Sequence, residues 1–384
     1  MILNKTTRFE LPEVPQTQDL YARWDDGPAD GTDEMDSGYR RYIALKWVLI
    51  VACIAVCVVV AGLAVTVGEY PVGFGESYWT IWNHIFGYVP TDHSDPLYIL
   101  DHVVWDLRLP RIIIGIVAGA GLAVAGATMQ STLKNPLADP YTTGISSGAA
   151  FGATIAICYG TGIFGSGGSI VVNAFVFALI PTALIAVISV TKKVSPVSMI
   201  LAGIAVMYIF NAMTTVMKLW ANPDDLASVY RWEVGSFEGL DWGDVPIMTA
   251  VTAVGSLFLL LVSSKMNVLS TGDENAKALG IDASKLRMVC LVVVTLVTAS
   301  IVSFTGVIGF VGLVAPHVVR IFIGSDNRYL IPASMALGAA LLLVADLVGR
   351  TVIAPAVLEV GVVTAFIGGP LFLYLVIRQK REAW

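Results

Sequence analysis

Charged residues are scarce in this 384-residue sequence: Asp, Glu, Lys and Arg make up 14% of it, against 56% hydrophobic residues. The mean hydropathy of +0.76 is too high for a soluble globule of this length, which could not bury so many apolar runs. The net charge is −6, and no basic stripe interleaved with aromatic residues is present. The net charge alone says nothing about nucleic acid, but without such a stripe we predict no nucleic-acid partner. The hydropathy predicts a polytopic membrane protein surrounded by lipid.

Cysteines and catalytic motifs are also few. The four cysteines, Cys53, Cys57, Cys158 and Cys290, show no CxxC or Cys/His metal spacing, which favours isolated buried thiols over a disulfide framework. The sequence has no HExxH motif, so a membrane-bound metalloenzyme is not supported. It also lacks the phosphate loop Gly-x-x-x-x-Gly-Lys-Ser/Thr, so it cannot cradle ATP in that way. We therefore predict no catalytic residues, no metal site and no cofactor.

Long apolar runs dominate the rest of the chain and predict an all-α protein with about ten transmembrane helices. The first 40 residues are acidic and rich in proline and glycine, which is typical of a disordered tail, and they lack the apolar run of a signal peptide. Residues 41–384 then form the transmembrane domain. The ten predicted spans are 43–67, 111–130, 144–162, 169–190, 198–219, 245–263, 287–304, 307–322, 331–348 and 358–378.

Lysine and arginine are unevenly divided between the two sides of these spans. Cytoplasmic loops carry the excess of such residues in membrane proteins, so the division predicts the orientation. Both termini are then cytoplasmic, in a multi-pass protein of the cell membrane. Of the 23 Lys and Arg residues, only five fall on the opposite side: Arg108, Arg111, Lys218, Arg231 and Arg350.

Residues 108–140 combine several signals. Two arginines, Arg108 and Arg111, precede an uncharged apolar run, and because charge is costly in lipid they should mark its water-exposed mouth. A proline-rich break, Asn135–Pro140, ends the run. Small residues recur at every fourth position between them, which lets another helix approach closely: Gly115, Gly119, Ala123 and Ala127. We interpret this segment as a helix at the centre of a transport pathway.

The spans that follow Arg111 and Arg287 resemble each other. Each carries spaced glycines and is followed by a proline break, at Pro136 and Pro316. Two such copies entering from opposite sides would form the inverted repeat that is common in transport proteins.

Motifs in order along residues 45–380 resemble one family, the permease subunits of ABC importers for iron chelates and vitamin B12 (the FecCD family of type II importers). They are Arg108-Leu-Pro-Arg111, Gly126-Ala-Thr-Met-Gln130, Asn135-Pro-Leu-Ala-Asp-Pro140, Gly144-Ile-Ser-Ser-Gly-Ala149, Leu201-Ala-Gly203, Gly306-Val-Ile-Gly-Phe-Val-Gly-Leu-Val-Ala-Pro-His317-Val-Val-Arg320, Asp346-Leu-Val-Gly-Arg350 and Glu359-Val-Gly-Val-Val-Thr-Ala365.

The resemblance implies a homodimer of ten-helix subunits around a central pathway, with a fold like that of the vitamin B12 importer permease. It also implies two cytoplasmic ABC ATPase subunits and an extracytoplasmic substrate-binding protein. The cargo would be a metal chelate: a ferric siderophore or other iron complex, a corrinoid or haem, with molybdate or tungstate in some branches.

Three outer arginines, Arg108, Arg111 and Arg350, are the ones that the family uses to dock its binding protein. Arginine–carboxylate contacts suit a reversible, oriented dock. Two alternatives stay open: Asp346 lies one turn before Arg350 and could pair with it, and Arg108 could pair with Asp106.

At the cytoplasmic end, Asn135 and Leu137 match family positions that constrict the pathway, and a second constriction aligns with Pro196 and Val197. For Asn135 a structural role competes, because asparagine before proline often caps or turns the chain.

The cytoplasmic segment 265–286 matches the family's ATPase-coupling loop, although an ordinary loop is the alternative. Its acids can begin a short helix, which Ala276 and Leu279 would give a small apolar face. A glycine would end that helix. The predicted coupling residues are Gly272, Asp273, Glu274, Ala276, Leu279 and Gly280.

A proton- or sodium-coupled secondary transporter is the competing function. That mechanism usually needs acidic or histidine residues near the middle of spans, whereas Asp346, Glu359 and His317 all lie toward span ends. The sequence therefore favours a permease that is driven by partner ATPases.

Overall fold

The computed structural model describes residues 29–68, 70–87, 89–90, 92, 95–162, 165–166, 170–192 and 195–378. The chain divides into two compact units, Met1–Trp47 and Val48–Trp384. In the first unit the described residues are helical from Ala29 onward. All contacts discussed below lie within the second unit.

Helices make up nearly all of the described chain. In order they are α1 Ala29–Thr66, α2 Phe74–Phe86, α3 Pro96–Asp101, α4 Leu109–Leu133, α5 Ile145–Tyr159, α6 Ile170–Lys192, α7 Pro196–Lys218, α8 Pro223–Val234, α9 Asp244–Leu261, α10 Ser263–Ser270, α11 Asp273–Ala278, α12 Ala283–Thr305, α13 Val311–Ile323, α14 Asn327–Thr351 and α15 Val360–Arg378.

Three short elements connect these helices. A seven-residue π-helix, His102–Arg108, joins α3 to α4 and ends in a hydrogen bond from the Leu109 amide to the Val104 carbonyl, five residues back. A 3₁₀ turn, Pro140–Thr143, precedes α5. Two antiparallel strands of two residues each, β1 Thr161–Gly162 and β2 Gly165–Ser166, lie between α5 and α6.

The predicted all-α, multi-pass architecture is confirmed for the described residues. Seven helical segments are long and apolar enough to cross a membrane: Ile43–Thr66, Leu97–Leu133, Ile170–Ser189, Pro196–Lys218, Asp244–Leu261, Ala283–Thr305 and Asn327–Thr351. Three shorter apolar helices cover Ile145–Tyr159, Val311–Ile323 and Val360–Tyr374. Each predicted span overlaps one of these ten segments. The number of helices that cross the bilayer and the inverted repeat remain predictions.

The predicted disordered tail, residues 1–40, differs from the structure in its last part. Residues 1–28 lie outside the described chain, but α1 is already helical at Ala29. Extending an existing helix costs much less free energy than starting one, so a helix can continue into acidic sequence. The predicted division of the chain into a tail and a transmembrane domain at residue 40 remains a prediction.

Helix α4 is the most deeply buried of the seven long segments. It packs against α14, α12, α13 and α9. Its small residues permit this: a Cβ on Gly119 would clash with the backbone of Gly338 in α14, and one on Gly126 would clash with Gly312 in α13. The predicted small-residue stripe therefore lies at a close helix–helix contact.

The break after α4 is formed by a left-handed backbone conformation and by side-chain hydrogen bonds. Lys134 adopts a left-handed conformation with a φ of 51°, which ends the helix. The Asp139 carboxylate accepts a hydrogen bond from the Tyr141 amide at 3.1 Å and starts the 3₁₀ turn. The Tyr141 hydroxyl donates to the Ile308 carbonyl at 2.8 Å, and so links this turn to the segment between α12 and α13.

Candidate functional sites

The three arginines predicted to dock a binding protein lie together on the side of the protein that the sequence predicts to be extracytoplasmic, called the outer side here. The Arg111 Nε lies 2.8 Å from Oδ1 of Asp346, and the Arg350 Nη2 lies 2.9 Å from its Oδ2. The Asp346 side chain is only 1% exposed. The alternative pairing of Asp346 with Arg350 is thus present, and Arg111 shares the same carboxylate. Arg108, Arg111, Asp346 and Arg350 are called the outer cluster below.

Arg108 and Arg350 also bond to backbone carbonyls in the last turn of α1, at Val65 and Ala64, and just beyond it, at Val67 and Tyr70. Arg108 donates to the carbonyl of Val65 at 2.6 Å and to that of Tyr70. Arg350 donates to the carbonyl of Val67 at 2.9 Å. The last carbonyls of a helix lack partners within it, so the two arginines cap α1.

The alternative pairing of Arg108 with Asp106 is contradicted by the contacts of both residues. Asp106 instead contacts Nδ1 of His102 at 2.8 Å, one turn earlier on the exposed side of the π-helix. Arg108 turns inward and is buried. The two residues are neighbours in sequence but point to different sides of the helix.

A cavity of about 680 Å³ adjoins the outer cluster. Its lining includes the three arginines and also the carboxylates of Asp106, Glu238 and Asp241. The rim of the cavity therefore carries both signs of charge. Of the three arginines, Arg111 exposes the largest side-chain fraction, 16% against 8% for Arg350. The docking role of these arginines remains a prediction.

On the opposite, inner side, the predicted short helix of the coupling segment is present as α11. Gly272, with a φ of 130°, precedes it, and Gly280, with a φ of 78°, follows it. Both values lie in a region that glycine adopts without strain. The predicted apolar face differs from the structure, because Ala276 is fully buried while Leu279 is 69% exposed. The helix is so short that packing against its neighbours, rather than its sequence spacing, decides which side faces outward.

A second charged group holds this segment and was missed by the sequence reasoning. Asp273 accepts hydrogen bonds from Arg287 at 2.5 Å and from Lys134 at 3.2 Å. Arg287 also donates to the Thr132 carbonyl near the end of α4, at 3.0 Å. The hydrogen bond from Arg287, with a further one from Lys134, holds the pKa of Asp273 below its usual value. Lys134, Asp273 and Arg287 are called the inner cluster below.

The sequence indicates the positions of the three inner-cluster residues, but not their contact. Lys134 follows one span and Arg287 begins another, and both lie on the predicted cytoplasmic side. Asp273 is the first residue of the short helix in the coupling segment. Nothing in the sequence indicated that these three meet.

The predicted gate residues occupy two separate turns on the inner side. The Asn135 side chain accepts a hydrogen bond from the Leu137 amide at 2.9 Å, so its capping role is present. Leu137 is 51% exposed and Val197 is 65% exposed. Pro196 is the first residue of α7, a position that suits proline. The pathway role of these residues remains a prediction.

Further apolar surface lies along α7 and α15. A cavity of about 500 Å³ between the end of α8 and α15 is lined largely by apolar side chains, with Glu233 at its edge. Glu233 pairs with Lys218 at the end of α7, at 2.5 Å. Large exposed apolar side chains on these two helices are Leu201, Tyr208, Ile209, Phe366, Ile367 and Leu373.

Metal-binding groups are absent from the part of the chain that the structure describes: no three His, Cys, Asp or Glu side chains are placed to hold an ion. Cys53, Cys57, Cys158 and Cys290 are free thiols.

Comparison with known proteins is consistent with this geometry. The model of the FecCD transport family matches residues 53–378. The chain is 39% identical to a Methanocaldococcus jannaschii protein named as an ABC transporter permease, over 90% of this chain and 98% of that protein. It is 40% identical to the cobalamin import system permease protein BtuC of Halobacterium salinarum, over 71% of this chain and 73% of that protein.

Among solved structures, an inward-facing metal-chelate type ABC transporter superimposes with a TM-score of 0.74 and 29% identity. The match covers 86% of this chain and 99% of that one. Together with the family match over residues 53–378, these likenesses show that the chain belongs to the FecCD transport family.

Proposed function

We propose that this chain is the membrane-spanning permease subunit of an ABC importer that moves a metal chelate into the cytoplasm. The family match, the multi-pass helical fold and the likeness to a cobalamin permease support this function. The cargo is a ferric siderophore or other iron complex, a corrinoid or haem. ATP is hydrolysed in separate subunits, because the sequence has no phosphate loop of its own.

The observation that carries the proposal is the attachment of the coupling segment. Asp273 of α11 bonds both to Arg287, near the start of α12, and to Lys134, which ends α4. Helices α4 and α12 pack directly on each other. A partner ATPase that contacts the exposed Leu279 can therefore move the buried centre of the permease through the inner cluster.

The same attachment leads to the gate. Lys134 immediately precedes Asn135 and Leu137, whose turn is held by the Asn135 cap. A shift of the coupling segment pulls on this turn through Lys134. In a homodimer, the exposed side chains of Leu137 and Val197 then form an apolar constriction that opens and closes at the cytoplasmic end.

The outer cluster contributes to docking of an extracytoplasmic binding protein mainly through Arg111. Arg108 and Arg350 are occupied with the end of α1, so they position the docking surface rather than reach into the partner. Both chain termini lie in the cytoplasm in this arrangement. The homodimer forms through the exposed apolar surface of α7 and α15, around the central pathway.

An ion-coupled secondary transporter is less compatible with the charges observed. Asp346 is a buried carboxylate within a spanning segment, but Arg111 and Arg350 already neutralise it. A carboxylate held by two guanidinium groups is a poor carrier of protons or sodium ions, because releasing it would leave both cations buried and uncompensated.

Uptake into proteoliposomes tests the function. The chain is reconstituted with the ATPase and the binding protein encoded beside it, and vitamin B12, a ferric hydroxamate and hemin are offered in turn. We expect uptake of one chelate only when ATP and both partners are present. Uptake driven by a proton or sodium gradient without ATP would contradict the proposal.

A matched pair of variants tests the coupling segment. Leu279→Glu should abolish co-elution with the ATPase, because it places a charge on the exposed apolar contact. Ser284→Glu adds the same charge at an exposed position a few residues away and should leave the complex intact. Equal loss in both variants, or in neither, would argue against Leu279 as the contact.

A further inference from the structure

Helix α2 presents an aromatic surface away from the protein. Its outward residues are between 40% and 69% exposed, and they follow a helical spacing along one side. Neighbouring rings contact each other, Phe74 with Tyr78 and Trp82 with Phe86, with centroids 4.8 and 4.6 Å apart. This surface, called the aromatic face, consists of Phe74, Tyr78, Trp79, Trp82, Ile85 and Phe86.

The opposite side of α2 packs against the protein and carries mainly polar side chains, with Ile81 as its apolar contact. Ser77 is fully buried and Thr80 is 7% exposed. His84 contacts the buried Asp101 carboxylate at 3.0 Å and stacks on Trp105, with ring centroids 3.8 Å apart. The orientation of α2 is therefore fixed by specific contacts. An amphipathic helix on a soluble surface would have the reverse arrangement, with its apolar side against the protein.

The depth of α2 relative to the membrane follows from one hydrogen bond. The Tyr78 hydroxyl donates to the carbonyl of Gly62 at 3.0 Å, and α1 ends at Thr66. At about 1.5 Å per residue, this contact lies about 6 Å inside the end of a spanning helix. Helix α2 is thus level with the last turn of α1.

The aromatic face also continues an apolar surface on α1. Val58, Val59 and Leu63, which flank the Tyr78 contact at Gly62, are 65%, 60% and 45% exposed. The helices proposed to form the dimer are α7 and α15, so the apolar side chains exposed here on α1 face lipid. Because α2 lies beside this surface at the same depth, lipid also reaches the aromatic residues of α2.

We propose that α2 lies in the headgroup region of the outer leaflet, with the aromatic face in contact with phospholipid. Tryptophan and tyrosine favour this boundary, where their rings meet both polar and apolar groups. The ionisable groups of α2 do not oppose this position: Glu76 accepts a hydrogen bond from the Gly73 amide at 2.9 Å, and His84 is paired with Asp101. The helix anchors the outer end of α1 in the bilayer surface, a role that does not depend on which cargo is moved.

Spin-label accessibility in lipid nanodiscs tests the contact. Single cysteines replace Trp79 or Trp82 in the full chain after Cys53, Cys57, Cys158 and Cys290 have been changed to alanine. Val58→Cys provides the lipid reference and the check on membrane insertion. Ser284→Cys provides the water reference. We expect the ratio of oxygen to aqueous nickel-chelate collisions at Trp79 and Trp82 to approach that of Val58.

Two outcomes would overturn the proposal. A ratio that matches Ser284 means that the face lies in water. Low collision rates with both reagents mean that a protein covers it, either a second copy or a binding protein.

A second measurement needs no cysteine removal. p-Benzoylphenylalanine replaces Phe86 in the otherwise native chain, which is irradiated in dioleoylphosphatidylcholine vesicles. The expected product is the chain with the added mass of one phospholipid. A cross-link to another copy of the chain, or recovery of no lipid adduct, would contradict the assignment.

Discussion

The outer and inner clusters are each centred on one carboxylate but lie in different surroundings. In each, one carboxylate lies between two cations contributed by different parts of the chain, Asp346 in the first and Asp273 in the second. The Asp346 side chain is 1% exposed and the Asp273 side chain is 49% exposed. Burial makes breaking an ion pair expensive, whereas water compensates the charges of an exposed pair. The outer cluster thus holds helices in place, and the inner cluster makes a contact that can change during transport.

The largest expected effect comes from removing the buried carboxylate. Asp346→Asn leaves two guanidinium groups buried without a counter-charge, which should cost about 3–5 kcal/mol of stability. Thermal unfolding of the purified protein in detergent measures this. Glu238→Gln is the control, because Glu238 is an exposed carboxylate on the same cavity. Equal melting temperatures for Asp346→Asn and the wild type would remove the distinction between the two clusters.

A smaller loss is expected for the cap of α1. Arg108→Met keeps an apolar stem but removes the charged donor to the carbonyls of Val65 and Tyr70. Loss of such hydrogen bonds should cost about 1.5–3 kcal/mol, measured by the same unfolding assay. Arg231→Met, at an exposed position of α8, should change stability little. If the two variants unfold at the same temperature, Arg108 does not cap α1.

The inner cluster should show the reverse balance between stability and transport. Asp273→Asn weakens a half-exposed pair, so the expected loss of stability is about 0.2–1 kcal/mol. ATP-driven uptake should nevertheless fall strongly, because the segment loses its attachment to α4 and α12. Lys285→Gln, on the same segment but paired only with Asp282 among the ion pairs described, is the control. Normal uptake by Asp273→Asn would show that transport does not depend on the inner cluster.

Salt should also distinguish the clusters. Raising the ionic strength to about 1 M shortens the Debye length to about 3 Å and weakens exposed pairs more than buried ones. The stability difference between wild type and Asp273→Asn should therefore shrink in high salt. The difference between wild type and Asp346→Asn should not. Equal salt dependence of the two differences would contradict the role assigned to burial.

The smallest effect concerns pH. The hydrogen bonds from Arg287 and Lys134 hold the pKa of Asp273 below the usual value of an aspartate, 3.8, so the folded state favours the charged carboxylate. Its contribution to stability is fully present above that value and is lost as the pH falls through the lower, folded pKa. The difference between wild type and Asp273→Asn should stay constant from about pH 7 to pH 5 and disappear only in stronger acid. A difference that disappears near neutral pH would mean that the pKa is raised instead.

Local patterns predicted the helices and their ends well, because hydrophobic length, small-residue spacing and proline breaks act over neighbouring residues. The close contact of Gly119 with α14 and the cap made by Asn135 followed from such patterns. The partners of the outer arginines could not be predicted in full. Arg111 and Asp346 are 235 residues apart, and only the folded chain brings them together.

Short segments whose exposure depends on their neighbours were predicted least well. The sequence placed a short helix after Gly272, but it could not show that Ala276 packs inward while Leu279 faces out. The same limit applies to Arg108 and Asp106, which a π-helix turns to different sides. The start of α1 at Ala29 depends on helix propagation, to which acidic composition is only a weak guide.

At the π-helix His102–Arg108, the number of residues decides the direction in which the preceding part of the chain points. A π turn holds more residues than an α turn, so removing one residue from it would let an ordinary helix run from α3 into α4. The deletion would shorten the helical stretch from α3 to α4 very little, but it would rotate all preceding elements by about 100° around the α4 axis. His84 and Asp101, which both precede the π-helix, would rotate together, and the aromatic rings of α2 would swing away from their present surroundings. An insertion or a deletion in this π-helix would therefore change the direction of the chain before it. These seven residues thus set where α2 lies.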